Sequence, residues 1–378
     1  MFSGENRQLL TRRGVVSVTA LAALGLDRVR PAHAATDEPP NAGLVKAAQA
    51  EGTLNYYHNS DIDTTSRWTA AFTKVYGVAT KNTRLPSYPL YDRWLNEERV
   101  GRHVGDLIQI TDPTLLSAAA KQGFIASYTP AGGAQIASGL KEEGLWYALT
   151  VDYMGIGYNG DKVTPAEEKL IHDMGWDSLA DPRWKGRFGT ATPASGGSSY
   201  AFCYMFLDAL KDRYGEAWFR KLAANAPDIY ASKAPLFERL AAGEYAIMDQ
   251  GSQGTLTDLY LKGAPVRWAF PAPTPAAVTA QSISAKAPHP NAARLFQEWS
   301  VTAESESLWL SLVAAGASRG DVTDPRKRDH KDWFAESWFA DPTVLYDAYL
   351  KDPAFADPKK PVIARWNDIF GYQGGRKG

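Results

Sequence analysis

The sequence reads as an α/β protein with enough chain for two lobes. Three observations point there. Short β-rich runs alternate with amphipathic helical runs from about residue 41 onward. The composition, 44% hydrophobic and 22% charged over 378 residues, is ordinary for a globular protein of that size. Between Ser178 and Tyr200, a short strand meets a helix through a loop of small polar residues, Ser195-Gly196-Gly197-Ser198-Ser199.

The first 34 residues read as an export signal. Thr11-Arg12-Arg13-Gly14-Val15-Val16 precedes a weakly apolar run, Val15 to Leu26, and Pro31-Ala32-His33-Ala34 offers an Ala-x-Ala cleavage site. Paired arginines ahead of a modest apolar segment have the form of a twin-arginine (Tat) signal. The run is too short for a membrane anchor. No cysteine directly follows it, which excludes a lipid anchor. Cleavage near Ala34 would remove five basic and two acidic residues from totals of 41 and 42, moving the formal charge from -1 to -4. No segment carries a basic stripe, so no nucleic-acid partner is expected. The single cysteine, Cys203, lies in the apolar run Ala201 to Leu207 and reads as a buried, inert thiol.

The elements follow in order. Asn41 to Ala50 is helical and Glu51 to His58 is the first strand. The loop Asn59-Ser60-Asp61 leads to a helix, Ile62 to Tyr76. Val78 to Leu85 is the second strand; after a turn at Pro86 to Pro89, Leu90 to Arg102 is an amphipathic helix with Trp94 on its apolar face. Asp106 to Ile110 is the third strand, ended by Thr111-Asp112-Pro113, and a helix runs to Lys121. Leu145 to Asn159 is a long β-rich run. It holds a formal Gly155-x-Gly157-x-x-Gly160 fingerprint, but Gly160 opens a turn and no helix, so a dinucleotide site is rejected.

Arg187 to Thr192 has the length and alternation of a buried-edge strand. Helices follow at Tyr200 to Asp212 and Glu216 to Ala224, then a short strand at Ile229-Tyr230 and a helix at Ala234 to Ala242. Tyr245 to Asp249 is a strand, and Gln250 to Gly254 opens the next helix. Val266 to Phe270 and Ala277 to Ala285 read as strands returning to the first lobe. Further helices run from Pro288 to about Glu304 and from Ser307 to Ala315. From Asp321 the chain is polar and aromatic and reads as helices packed back on the lobes. No internal repeat or low-complexity tract is visible.

The Ser195–Ser199 loop carries the chemistry. A glycine pair beside hydroxyls at a helix start leaves backbone N–H groups unpaired, and the helix dipole adds partial positive charge there. Such a terminus suits an anion. The competing reading is that Ser198 or Ser199 merely caps its own helix.

Asp181-Pro-Arg-Trp-Lys-Gly-Arg187 with the strand and loop after it, Glu51-Gly-x-Leu-x-Tyr-Tyr57, Tyr158-Asn-Gly-Asp-Lys-Val163, Ala241-Ala-Gly-Glu-Tyr-Ala-Ile247 and Ala287-Pro-His-Pro-Asn-Ala-Ala293 together resemble bacterial extracellular solute-binding proteins of family 1. The chain is most similar to the ferric-iron-binding branch of ABC-transporter periplasmic components. The resemblance spans roughly Leu44 to Leu312. It implies a type II periplasmic-binding-protein fold, two α/β lobes with mixed sheets joined by hinge strands. On that reading residues 35–150 plus 272–318 form lobe 1 and 151–271 form lobe 2. Residues 319–378 then pack on the lobes as C-terminal helices. The hinges fall near Tyr153 and Pro271–Pro275.

It also implies a function: a monomeric periplasmic protein that captures a small anionic solute, such as a carboxylate, phosphate or phosphonate, and delivers it to an ABC permease. Strand tips in open α/β sheets converge on such a crevice. The expected contacts are Tyr57, His58 and Ser60; Arg84 and Ser87; Thr111 and Asp112; Tyr153; Ser195, Gly196, Gly197, Ser198 and Ser199; and Asp249 and Gln250. The alternative is a ferric carrier with Tyr57, His58, Asp249 and nearby tyrosines as ligands and a synergistic anion on Ser195–Ser199. Here the sequence departs from the iron-binding pattern: Met248-Asp249-Gln250-Gly251-Ser252 stands where that branch has paired tyrosines. A hard trivalent ion wants several anionic oxygens, so the missing phenolates count against iron.

A secreted enzyme on the same scaffold, with His58 and Asp112 as an acid–base pair, is a further alternative. Zinc-type His-Glu-x-x-His spacing, a Gly-x-Ser-x-Gly elbow and a Walker loop are all missing from the sequence. Docking on a sensor receptor instead of a permease is a third.

Overall fold

The long strand Trp146–Asn159 threads two sheets, and everything else hangs from it. This computed structural model describes residues 37, 39–313, 315–322, 352–357 and 359–374. The expected export signal at 1–34, and much of the expected C-terminal helical region, lie outside the described residues.

The first-lobe sheet holds β1 (Thr53–His58), β2 (Ala79–Arg84), β3 (Leu107–Ile110), β5 (Trp146–Asn159) and β10 (Ala276–Ile283), in the order β2-β1-β3-β10-β5. β1 runs parallel to β2 and β3; β10 runs antiparallel to β3 and β5. Two short strands, β4 (Lys141–Glu142) and β11 (Gly316–Ala317), also pair with β5. The sheet is therefore mixed. The crossover helices are α1 (Ala42–Glu51), α2 (Ile62–Tyr76), α3 (Ser87–Arg99) and α4 (Pro113–Lys121). α2 begins where Asp61 accepts from the Thr64 amide at 2.8 Å and ends at Gly77, whose φ of 74° is left-handed.

The second-lobe sheet uses the far half of β5. Met154–Tyr158 pairs antiparallel with β8 (Ile247–Ser252), and Ile156–Asn159 pairs with β9 (Val266–Ala269). β6 (Phe188–Ala191) lies between β8 and β7 (Asp228–Tyr230), parallel to both. Around it sit α5 (Pro165–Met174), α6 (Gly197–Tyr204), α7 (Gly215–Ala224), α8 (Lys233–Ala242) and α9 (Gln253–Leu261). α10 (Pro290–Ser300) and α11 (Ala303–Leu312) return to the first lobe, with α10 on α1 and α11 on α2.

Three details differ from the sequence reading. β6 is interior, and β7 takes the edge. β9 stays with the second lobe, so β10 alone carries the chain back. β8 runs on to Ser252, which puts Gln250 inside a strand instead of at a helix start and makes Asp249 an interior strand residue instead of its last. Gln250 holds that strand through a φ of 55°, a region few side chains visit.

Large rings fill the cores. In the first lobe Trp68 is fully buried, with ring centroids of Trp309, Trp299 and Phe296 at 4.9, 5.0 and 5.3 Å. In the second lobe Phe206 stacks on Trp218 at 4.9 Å and meets Trp176 at 5.0 Å. Cys203 is buried among these rings, and burial pushes its thiol well above the ordinary range. The C-terminal helix α12 (Pro361–Phe370) docks on α6 and α7. Arg365 pairs with Asp208 at 2.5 Å, and the Tyr204 hydroxyl donates to Asp352 at 2.7 Å.

Candidate binding crevice

The carboxyl ends of the first-lobe strands form one wall. Gln109 donates to Ser60 Oγ at 2.9 Å; the Asn59 amide donates to Ser87 Oγ at 2.9 Å and Thr111 Oγ1 at 2.7 Å. Thr111 Oγ1 meets Thr279 Oγ1 at 3.0 Å, and its backbone N–H donates to Ser87 Oγ at 3.2 Å. These hydroxyls bond mainly to one another, while Asn59 Oδ1 and Gln109 Oε1 are buried without a partner among the described residues. Asp112 caps α4 by accepting from the Thr114 amide at 3.2 Å, with its other oxygen 2.9 Å from Lys360 Nζ.

The second-lobe wall is different. Pro193–Ser195 forms a 3₁₀ turn, Gly196 breaks the chain direction, and α6 starts at Gly197. Among the described residues no acceptor bonds the amides of Gly196, Gly197, Ser198 or Ser199. Ser195 Oγ donates to Ser199 Oγ at 2.6 Å, so neither serine spends its hydroxyl on capping these amides. Lys233, at the start of α8, donates to Ser198 Oγ at 3.1 Å. Burial lowers its pKa, opposed by the charges of Asp152 and Asp249. Ser252 Oγ donates to both oxygens of Asp152, at 2.7 and 2.8 Å. Asp249 is fully buried with neither oxygen in hydrogen-bond geometry, and Thr190 and Gln250 are its polar neighbours. Burial raises its pKa to about 7.

The walls touch at Gly197. A Cβ there would sit 1.3 Å from the Thr111 carbonyl oxygen and 3.2 Å from Asp112 Cβ. Only a residue without a side chain lets the first-lobe backbone come this close.

The structure thus gathers Ser60, Ser87, Thr111 and Asp112 on one wall. On the other it gathers Ser195, Gly196, Gly197, Ser198 and Ser199, with Asp249 in the strand behind. The other expected contacts lie elsewhere. Tyr57 is buried against α3, donating to Glu97 at 2.9 Å and accepting from Arg93 at 3.2 Å. His58 is buried on the other face of β1, stacked on Tyr56 at 5.5 Å and 3.3 Å from Thr65 Oγ1. Burial lowers its pKa to about 4, so the ring is neutral. No hydrogen bond or ion pair joins His58 to Asp112 among the described residues. Arg84 is exposed at the end of β2. Tyr153 is fully buried in β5 opposite Ala276. Gln250 uses its amide to donate to the Ala191 carbonyl at 2.9 Å, tying β8 to β6.

Two residues of the crevice escaped the sequence reading, Lys233 and Lys360. Lys233 follows the tip of β7 and was findable by the same strand-tip rule that selected the others. Lys360 arrives from the far end of the chain, and nothing in its local sequence marks it.

Residues 104–253 match the family model described as bacterial extracellular solute-binding protein. The fold is that of type II periplasmic binding proteins. Among similar solved structures is the periplasmic binding protein AfuA from Actinobacillus pleuropneumoniae with fructose-6-phosphate bound. It is 20% identical, with 85% of this chain and 99% of that one covered and a TM-score of 0.68. Iron-bound HitA from Pseudomonas aeruginosa is also 20% identical, over 84% and 99% of the two chains, with a TM-score of 0.65. A substrate-binding protein of an ABC transporter from Agrobacterium tumefaciens is 16% identical over 84% and 94%, with a TM-score of 0.69. No curated protein matches the sequence.

Proposed function

We propose that this protein is the exported, periplasmic solute-binding component of an ABC importer. It captures a small anionic solute between its lobes and passes it to a membrane permease, acting as a monomer and without catalysis. The observation that carries this is the amide cradle: four unpaired N–H groups at the start of α6, with the Lys233 ammonium bound to Ser198 beside them. Backbone donors plus the helix dipole favour negative charge at such a terminus. A crevice that closes around the solute strengthens each of those contacts by excluding water. Solved structures of this fold include one with a sugar phosphate and one with iron, so the fold accommodates both kinds of cargo.

A ferric carrier is the second reading, favoured by the iron-bound neighbour. The ligand set Tyr57, His58 and Asp249 is not brought together: each has its own surroundings, in front of β1, behind it and in β8. Among the described residues no group of three or more His, Cys, Asp or Glu is placed to hold a metal. Titration of the purified mature protein with phosphate, citrate, sugar phosphates and ferric citrate separates the readings. Saturable binding of an anion without iron uptake supports the first. Stoichiometric iron with a phenolate charge-transfer band overturns it.

A further inference from the structure

Lys360 belongs to a C-terminal segment anchored on the second lobe by α12, yet its ammonium reaches a first-lobe carboxylate. Nζ lies 2.9 Å from Asp112 Oδ2 and donates to the Phe355 carbonyl at 3.0 Å. The Tyr200 and Phe355 rings lie 4.7 and 4.8 Å from it. Lys360 is 6% exposed and Asp112 2% exposed, so the pair is almost fully withdrawn from water. Lys360 holds this position with φ at 47°.

Asp112 sits at a sensitive place. Its Cβ lies against Gly197, the first residue of the helix whose amides form the anion cradle. An uncompensated carboxylate there would repel an arriving anion, and the repulsion is strong where water is excluded. Asp112 is also fixed in the site because it caps α4.

We propose that Lys360 is a positioning residue of the binding crevice, supplied by the C-terminal segment: it cancels the charge of Asp112 and so makes the amide cradle receptive to an anion. The inference rests on the anion reading given above. The crevice is then built from three parts of the chain, two lobes and a strap, and the strap also ties the lobes together through the Lys360–Asp112 pair.

The test is isothermal titration of the mature full chain with inorganic phosphate, and with citrate as a second probe, alongside thermal melts. Lys360→Met leaves Asp112 with only neutral donors, from Thr114 and the Tyr88 hydroxyl, and no countercharge, and weakens probe binding about tenfold or more. Asp112→Asn keeps the α4 cap, because asparagine caps as well as aspartate. It leaves the ammonium uncancelled and so tightens binding, even though losing the buried pair lowers the melting temperature. The double variant returns to near wild-type affinity. A merely structural pair gives a different pattern, with both single variants weakening binding. That pattern overturns the proposal and leaves the anion reading standing. If Asp112→Asn does not fold, the double variant decides: affinity as poor as Lys360→Met overturns the proposal. Wild-type protein that binds neither probe nor any other anion removes both.

Discussion

The two walls of the crevice are made by the same kind of element, strand tips feeding helix starts, and they are finished in opposite ways. On the first lobe Asn59, Ser87, Thr111 and Thr279 spend their donors on one another, and what is left open there is acceptor oxygens, Asn59 Oδ1 and Gln109 Oε1. On the second lobe the amides of Gly196 to Ser199 and both Asp249 oxygens are without partners among the described residues. Buried polar groups that lack partners are costly. The difference says where a ligand gains most. The first lobe supplies a largely self-bonded face with a few open acceptors, and the second supplies the donors that a guest must satisfy.

Four changes would break or sharpen that contrast. The largest effect belongs to Gly197→Val. Its side chain would land on the Thr111 carbonyl, so the walls cannot meet as they do here. Binding of any anion probe is lost while each lobe keeps its helix and strand content, as titration and circular dichroism would show. Unchanged affinity would mean the ligand lies elsewhere.

Next comes Asp249→Asn. Burial raises the native pKa of Asp249 to about 7 from 3.8, so the folded state holds a proton that the unfolded chain releases. Stability from this group is therefore present at low pH and lost as pH rises from about 4 to 7. The loss is on the order of 4 kcal/mol at about 1.4 kcal/mol per pKa unit. Denaturant melts against pH should show the variant gaining on the wild type between about pH 4 and 7 and keeping that gain above neutrality. A pH profile that the substitution does not alter would contradict the burial argument. Glu306, also raised to about 7 by burial, contributes a fall of the same sign that this variant leaves in place.

His58→Gln addresses the first lobe and has the opposite sign. The native pKa of His58 is lowered to about 4 from 6.5, so the unfolded chain binds the extra proton. Stability is present above 6.5 and declines as pH falls toward 4, by roughly 3 kcal/mol at the end of that window. The variant should flatten the acid limb of the profile and leave probe affinity alone. A large affinity loss would return His58 to the binding site.

Smallest is Lys233→Met. It removes the cation beside Ser198 but not the amides. Phosphate affinity should fall about tenfold, near 1.4 kcal/mol, with a shallower salt dependence. No loss would assign the cradle to a neutral guest.

Much of the architecture was readable in the chain. Alternating strand and helix patterns, glycines such as Gly77 at helix ends and the Ser195–Ser199 loop are local signals, and the elements they mark are where they were expected. The misplaced boundaries share a cause. β8 extends through Gln250 because that side chain bonds across to Ala191, a tertiary tie that no local pattern encodes. Tyr57 and His58 were chosen for their place at a strand end. Which face each one turns to, and what it meets there, depends on α3 and α2 packing on opposite sides of β1. Lys360 was invisible for a stronger reason, since its partner Asp112 is far from it in the sequence and meets it only in the fold.

One consequence concerns the order in which the molecule can be made. β10 lies between β3 and β5 in the first-lobe sheet, yet it follows every strand of the second lobe in the chain. During synthesis the first sheet has a gap at its centre until Ile283 has left the ribosome. By then every strand of the second lobe has been made, and only α12 is still to dock on it. The sheet that holds the amide cradle is thus free to form first, and the sheet that begins the polypeptide is filled in after it.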